Sequence, residues 1–143
     1  MNLTTQGGAA GEVVDVPSPG LINLTHLIYA LHALSVVIGV AGSASVVSSF
    51  VFGLPSIVAV ILNYIKRGDV RGTYLDSHFS WQIRTFWWAV LWGLIALVVT
   101  LVLIATIVGI LLYWLPIAVV GVWIGYRVIR GWLALRDARP IDA

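Results

Sequence analysis

Two long stretches of this chain contain no Asp, Glu, Lys or Arg: one lies between Asp15 and Lys66, the other between Arg84 and Arg127. A helix needs about 20 apolar residues to cross the roughly 30 Å of hydrocarbon in a bilayer. Each stretch is about twice that length, which predicts a helical hairpin in each. Helices are expected because backbone groups in lipid must pair within the chain, and the apolar runs lack the alternation of barrel strands. The expected fold is all-α: a polytopic membrane protein with four transmembrane helices, as two hairpins, over residues 21–132. Composition agrees. With 143 residues, 60% hydrophobic and 10% charged, the chain has too little interior to hide its apolar side chains from water.

The turn of the first hairpin is expected at 39–45, where Gly39, Ala41, Gly42 and Ser43 are small. The second hairpin has its only weak break at Thr106, Ile107, Val108 and Gly109. The spans are placed at 22–39, 46–65, 81–105 and 110–129. Residues 1–20 read as an extended or disordered tail. The first fifteen positions carry Glu12 and Asp15 but no basic residue, so a cleavable signal is not expected. Pro17-Ser18-Pro19-Gly20 then makes a stiff lead-in. Residues 133–143 read as a short C-terminal tail.

All eight basic residues fall in two places. Lys66, Arg67, Arg71 and Arg84 surround the central connection, and Arg127, Arg130, Arg136 and Arg139 end the chain. Two expected spans separate the clusters, which puts both on one membrane face. The positive-inside rule makes that face cytoplasmic, with the C-terminus and, on this count of spans, the N-terminus there too. Trp81, Trp87 and Trp88 near one boundary, Tyr113 and Trp114 near the other, and Tyr126 and Trp132 on the return suit interfacial anchors.

Cysteine is absent, which excludes disulfides, thiolate metal sites and a cysteine nucleophile. A net charge of +2 gives no reason to expect nucleic acid as a partner. Gly121 and Gly125 form a GxxxG, and Ala41, Ser45, Ser49 and Gly53 recur every four residues. Small residues at that spacing let helix backbones approach, within one chain or between copies. Leu54-Pro55 and Leu115-Pro116 precede Lys66 and Arg127 at the same distance, which suggests a parallel internal duplication with a kink at each proline.

The polar positions inside the apolar stretches are the candidate sites. His32 is an ionisable residue deep in the first span, and such residues are functional candidates by default. Asp76, His78 and Arg84 put a carboxylate, an imidazole and a guanidinium near the start of the third helix, beside several tryptophans. Thr73 to Asp76 fits a loose capping box there, starting a helix near Tyr74. Arg84 can snorkel to a lipid phosphate or make a forked contact to an anion. His26 and His78 lie at the same face, so a bis-histidine haem is geometrically conceivable. No cofactor is expected, and haem is kept as an alternative.

The order of hairpin, basic loop, histidine-led opening of the third helix (His78 to Phe86) and second hairpin resembles a bacterial family of unknown function. Its members are small four-span membrane proteins distantly similar to the channel-forming subunit of the chloroplast inner-envelope protein translocon. They often carry Asn in the histidine-led opening, where Trp81-Gln82-Ile83-Arg84-Thr85 has none. The resemblance implies a bacterial inner-membrane protein without enzymatic activity. The expected function is a non-enzymatic helical bundle in the lipid bilayer that assembles with itself or with a larger membrane complex. A channel or transporter component for a small solute, an ion or a polypeptide is the second expectation, and a haem-binding electron carrier the third.

Overall fold

The computed structural model describes residues 16–41 and 46–142, with side chains for 16–39 and 53–142. In chain order the elements are α1 (Pro19–Ala41), α2 (Val46–Lys66), α3 (Leu75–Ile104), α4 (Gly109–Leu112) and α5 (Leu115–Arg136). No strand occurs among the described residues. Three stretches, Pro19–Gly39, Leu75–Ile104 and Gly109–Arg136, are long and apolar enough to cross a membrane. The part of α2 with described side chains, Gly53–Lys66, is a shorter apolar helix. The chain is thus a helical protein of the membrane type.

Helix α3 starts at Leu75, beside the start near Tyr74 that Thr73 to Asp76 suggested and six residues before the span placed at 81. The connection from α2 closes through tight backbone turns, Asp69 N–H to Lys66 O at 3.1 Å and Thr73 N–H to Val70 O at 3.2 Å. Thr73 Oγ1 then accepts from Leu75 N–H at 3.2 Å, so the threonine caps the next turn but not through the capping-box pattern. Leu75, His78, Phe79 and Gln82 follow at helical spacing and are buried together. Asp76, Ser77 and Ser80 on the other faces interrupt the apolar run, which is why hydropathy alone starts the helix late. At 1.5 Å per residue α3 is about 45 Å long, more than the hydrocarbon requires.

The break after α3 falls at 105–108, where the sequence is weakest. Thr106 Oγ1 donates to Leu103 O at 2.9 Å and accepts from Gly109 N–H at 3.0 Å. The returning helix is interrupted again at Tyr113 and Trp114, and α5 runs from Leu115 to Arg136, beyond the expected end at 129. Thr100 Oγ1 of α3 donates to the Tyr113 carbonyl at 3.1 Å, satisfying a group the interruption frees. Pro116 lies in the first turn of α5, where a missing N–H loses nothing. Pro55 lies inside α2 instead. Its neighbour Ser56 donates its N–H across to Ser35 Oγ of α1 at 3.0 Å. The two prolines therefore sit differently, Pro55 within its helix and Pro116 at the start of its own.

Neighbouring helices run antiparallel. Residues 32 and 35 of α1 meet 56 of α2, Tyr64 of α2 meets Trp87 of α3, Thr85 of α3 meets Arg127 of α5, and His26 of α1 meets Trp132 of α5. The start of α1, the end of α2, the start of α3 and the end of α5 thus share one end of the bundle, and both basic clusters gather there. The core occupies the same end: Ile28, Tyr29, Ala59, Val70, Leu75, Phe79, Val128 and Leu135 pack together. Beyond Thr85, α3 buries only Ala96 and Thr100.

After α5 the chain does not trail away. Ala138 adopts a left-handed conformation, φ 50°, and turns the segment back. Ile141 is buried, and its N–H donates to Ser77 Oγ at 3.1 Å. The last described residues thus form a strap over the start of α3.

Candidate functional site

Helix spacing turns His78 toward the bundle, and three segments converge on it. Its Nδ1 lies 3.0 Å from Tyr29 Oη on α1, and its Nε2 lies 2.7 Å from the Arg139 carbonyl on the strap. A carbonyl can only accept, so Nε2 carries the proton and donates. In the neutral ring Nδ1 is then an acceptor, and the Tyr29 hydroxyl donates to it. Tyr29 and Tyr74 both meet the imidazole edge-on, with centroids 6.0 Å and 6.1 Å away. The histidine side chain is fully buried, and both its nitrogens are occupied by protein groups.

That arrangement depends on a glycine the sequence did not single out. A Cβ on Gly131 of α5 would lie 2.5 Å from Tyr29 Oη and 2.6 Å from Tyr29 Cε1. Only a residue without a side chain lets the tyrosine ring pass over α5 to reach His78. One position along, Trp132 Nε1 donates to His26 Nδ1 at 3.1 Å, tying α5 to α1 a second time.

A second cluster lies on the α3–α5 seam. Trp81 is buried and donates from Nε1 to the Arg127 carbonyl at 3.2 Å. The Arg127 guanidinium sits 3.7 Å above the Trp81 ring and donates from Nε to Thr85 Oγ1 at 2.8 Å. Trp123, at 5.3 Å, flanks the same guanidinium, and Arg130 approaches Trp81 to 5.4 Å. Trp81 is therefore a platform within the bundle and not an interfacial anchor. Trp87 and Trp88 are exposed, and Trp87 Nε1 donates to Tyr64 Oη at 3.0 Å.

A third group lies in the interior. His32 Nδ1 pairs with Ser56 Oγ at 3.1 Å, next to the contact of Ser56 N–H with Ser35 Oγ. Its Nε2 is buried without a partner among the described residues. The side-chain amides of Asn63 on α2 and Gln82 on α3 are both buried, with neither oxygen nor nitrogen partnered. An unpaired buried amide costs about 1–3 kcal/mol, so these are the least satisfied groups among the described residues. A lone amide in an otherwise apolar helix was the available signal for Asn63, whereas Gln82 lies among other polar residues between Ser80 and Arg84.

Asp76, His78 and Arg84 do not meet. His78 points inward to Tyr29 and the strap, Arg84 lies exposed on α3, and no hydrogen bond or ion pair joins the three among the described residues. His26 and His78 do not suit an axial haem pair, because neither nitrogen of His78 is free and His26 Nδ1 is taken by Trp132. Of the small residues, Gly125 faces Val36 of α1 at 3.9 Å, Gly121 is half-buried, and Gly53 meets only Ile57 of its own helix. Ser45 lies outside the described residues, as do the side chains of Ala41 and Ser49.

At the surface, Asp137 bridges Arg139 at 3.1 Å and Arg136 at 3.3 Å, and these hydrogen bonds, Arg139 first, hold its carboxyl below the ordinary value. The bridge fixes the turn that carries the strap. Comparison with protein-family models, with curated proteins and with solved structures finds no match.

Proposed function

We propose that this protein is a non-enzymatic component of a bacterial inner membrane, a bundle of four spans whose basic end faces the cytoplasm. It assembles with itself or with a larger membrane complex. The observation that carries the reading is the surface of the α3–α5 hairpin away from the basic end. Leu94, Val98, Leu101, Val102, Ile107 and Leu111 are all exposed there, and only lipid or another membrane helix is a suitable neighbour for them. Each helix partner that α3 has beyond Thr85 leaves most of its circumference uncovered, so a second copy can dock without displacing anything. All basic residues at one end support the orientation. A cysteine placed at Val98 and oxidatively crosslinked in native membranes tests assembly. A discrete adduct, identified by mass spectrometry, is expected, and a chain that stays monomeric at every exposed α3 position would end the proposal.

The interior polar groups favour a second reading, a conductor of small polar solutes. His32 Nε2 and the amides of Asn63 and Gln82 are shut inside the bundle with no partner among the described residues, and a hydrated path or a passing solute would satisfy them. The resemblance to the translocon-like family agrees with such a path. Flux into proteoliposomes that disappears with His32→Ala would support this reading. Flux no greater than in protein-free vesicles would remove it.

A further inference from the structure

Arg127 and Arg130 gather at Trp81 on the α3–α5 seam, with Arg84 close enough to act on Arg127, and none of the three is held in an ion pair among the described residues. The three ion pairs present use Lys66, Arg136 and Arg139 instead. Arg127 lies over Trp81 and spends its Nε on Thr85, Arg130 flanks the same indole, and both Arg84 and Arg130 act on Arg127 as like charges. Like charges gathered in this way repel unless an anion sits among them. From Arg84 an open groove of about 310 Å³ runs along α3, lined further by Trp87, Trp88 and Leu91. Trp88 stacks on Trp92 at 6.4 Å and extends the apolar wall away from the basic end.

We infer that this groove binds one anionic phospholipid of the leaflet at the basic end, with its phosphate held by Arg84 and its acyl chains along Trp88 and Leu91. The match is one of polarity as well as charge. The site is cationic at the bundle's basic end and apolar further along α3, in the order in which a phospholipid presents its headgroup and tails. A free anion would have no use for the tryptophan-lined wall. Guanidinium groups suit the phosphate because they donate in a planar fork, and their stems can lie along apolar surface. Arg127, held by Thr85 and Trp81, supplies fixed positive potential beneath the headgroup.

The site presupposes the membrane reading above, and carbonate extraction of the same membranes tests that separately. Protein released by carbonate would defeat the reading, whereas retained protein without lipid preference would defeat the site alone. The experiment is native mass spectrometry of the full chain, released from nanodiscs that contain phosphatidylglycerol and phosphatidylcholine with the same acyl chains. One phosphatidylglycerol should be retained preferentially. Arg84→Gln should lower that preference by roughly fivefold, the effect of one interfacial basic residue. The Arg84 side chain is exposed, so this variant should keep wild-type helicity. Arg71→Gln, in the connection before α3, should retain the lipid as wild type does. Equal retention of the two lipids, an equal loss in Arg71→Gln, or displacement of the lipid by millimolar inorganic phosphate would each overturn the inference.

Discussion

At the start of α3 a histidine is completely buried with both nitrogens bonded, while towards the far end of the same helix Leu101 and Val102 are 60% and 64% exposed. The first region is held by protein. Four helices and the strap meet there, Tyr29, Trp81 and Trp132 each bond across an interface, and the core lies beneath them. The second is a hairpin whose described contacts are mainly its own, closed by Thr100 on the Tyr113 carbonyl. Two kinds of stability follow. Substitutions at the basic end act through packing and hydrogen bonds, whereas substitutions at the far end act through the match to lipid.

The largest effect should come from a charge placed where only lipid is available. Leu94→Arg on exposed α3 should lower the inserted fraction, since a central arginine costs about 2.5–3.5 kcal/mol on insertion. Ile129→Arg, equally exposed but near the basic end, should insert almost normally because its side chain can snorkel. Equal insertion of the two variants, measured by carbonate-resistant membrane retention, would erase the distinction between the regions.

The same chemical change can then be made in both places. Gly131→Ala should destabilise by about 1–3 kcal/mol, because the new methyl collides with a tyrosine that burial and His78 hold in place. Gly93→Ala, with nothing within 4 Å of the added carbon, should be neutral or slightly stabilising. Thermal unfolding in detergent would check the pair, and equal midpoints for both variants would show that the tight α1–α5 approach is absent in solution. A smaller effect is expected from Tyr29→Phe, which leaves His78 Nδ1 buried without its donor and should cost about 1 kcal/mol by the same measurement.

Much of this division was legible in the residues. Charge-free runs located the helices, small and hydroxylated residues at 106 and 109 located a turn, and the placement of arginines marked one end. Local chemistry decides those features, so local sequence carries them. The partners of His78 were not legible, because Tyr29 lies 49 residues before it and the Arg139 carbonyl 61 after it. No periodicity encodes a contact that exists only after the ends of α1, α3 and α5 have met. Gly131 escaped for the same reason: it belongs to no spaced pair of small residues, and its lack of a side chain matters only once Tyr29 has arrived. Trp81 looked like its neighbours Trp87 and Trp88 until Arg127 of another helix was placed on its face.

The smallest expected effect concerns the strap. The Asp137 carboxyl is held below its ordinary value by Arg139 and Arg136, so its contribution is fully present above the unfolded pKa of about 3.9 and is lost as pH falls through the lower folded value. Hydrogen exchange at the Ile141 amide should therefore quicken on acidification only below about pH 4, after correction for intrinsic rates. In Asp137→Asn that extra acid sensitivity should vanish.

The division into a basic end and a lipid-facing end is tested most directly by asking which side of the membrane each faces. The chain has no cysteine, so single cysteines can be labelled against a clean background. Asp69 and Asp142 are exposed at the basic end and Ile107 is exposed at the far turn, whereas Gly109 is unsuitable because a side chain there would collide with the Leu103 backbone. With a membrane-impermeant maleimide on intact cells, cysteine at Ile107 should react, while cysteine at Asp69 or Asp142 should react only after the membrane is opened. Labelling of the Asp69 and Asp142 positions from opposite faces, or of Ile107 from the same face as both, would contradict the account.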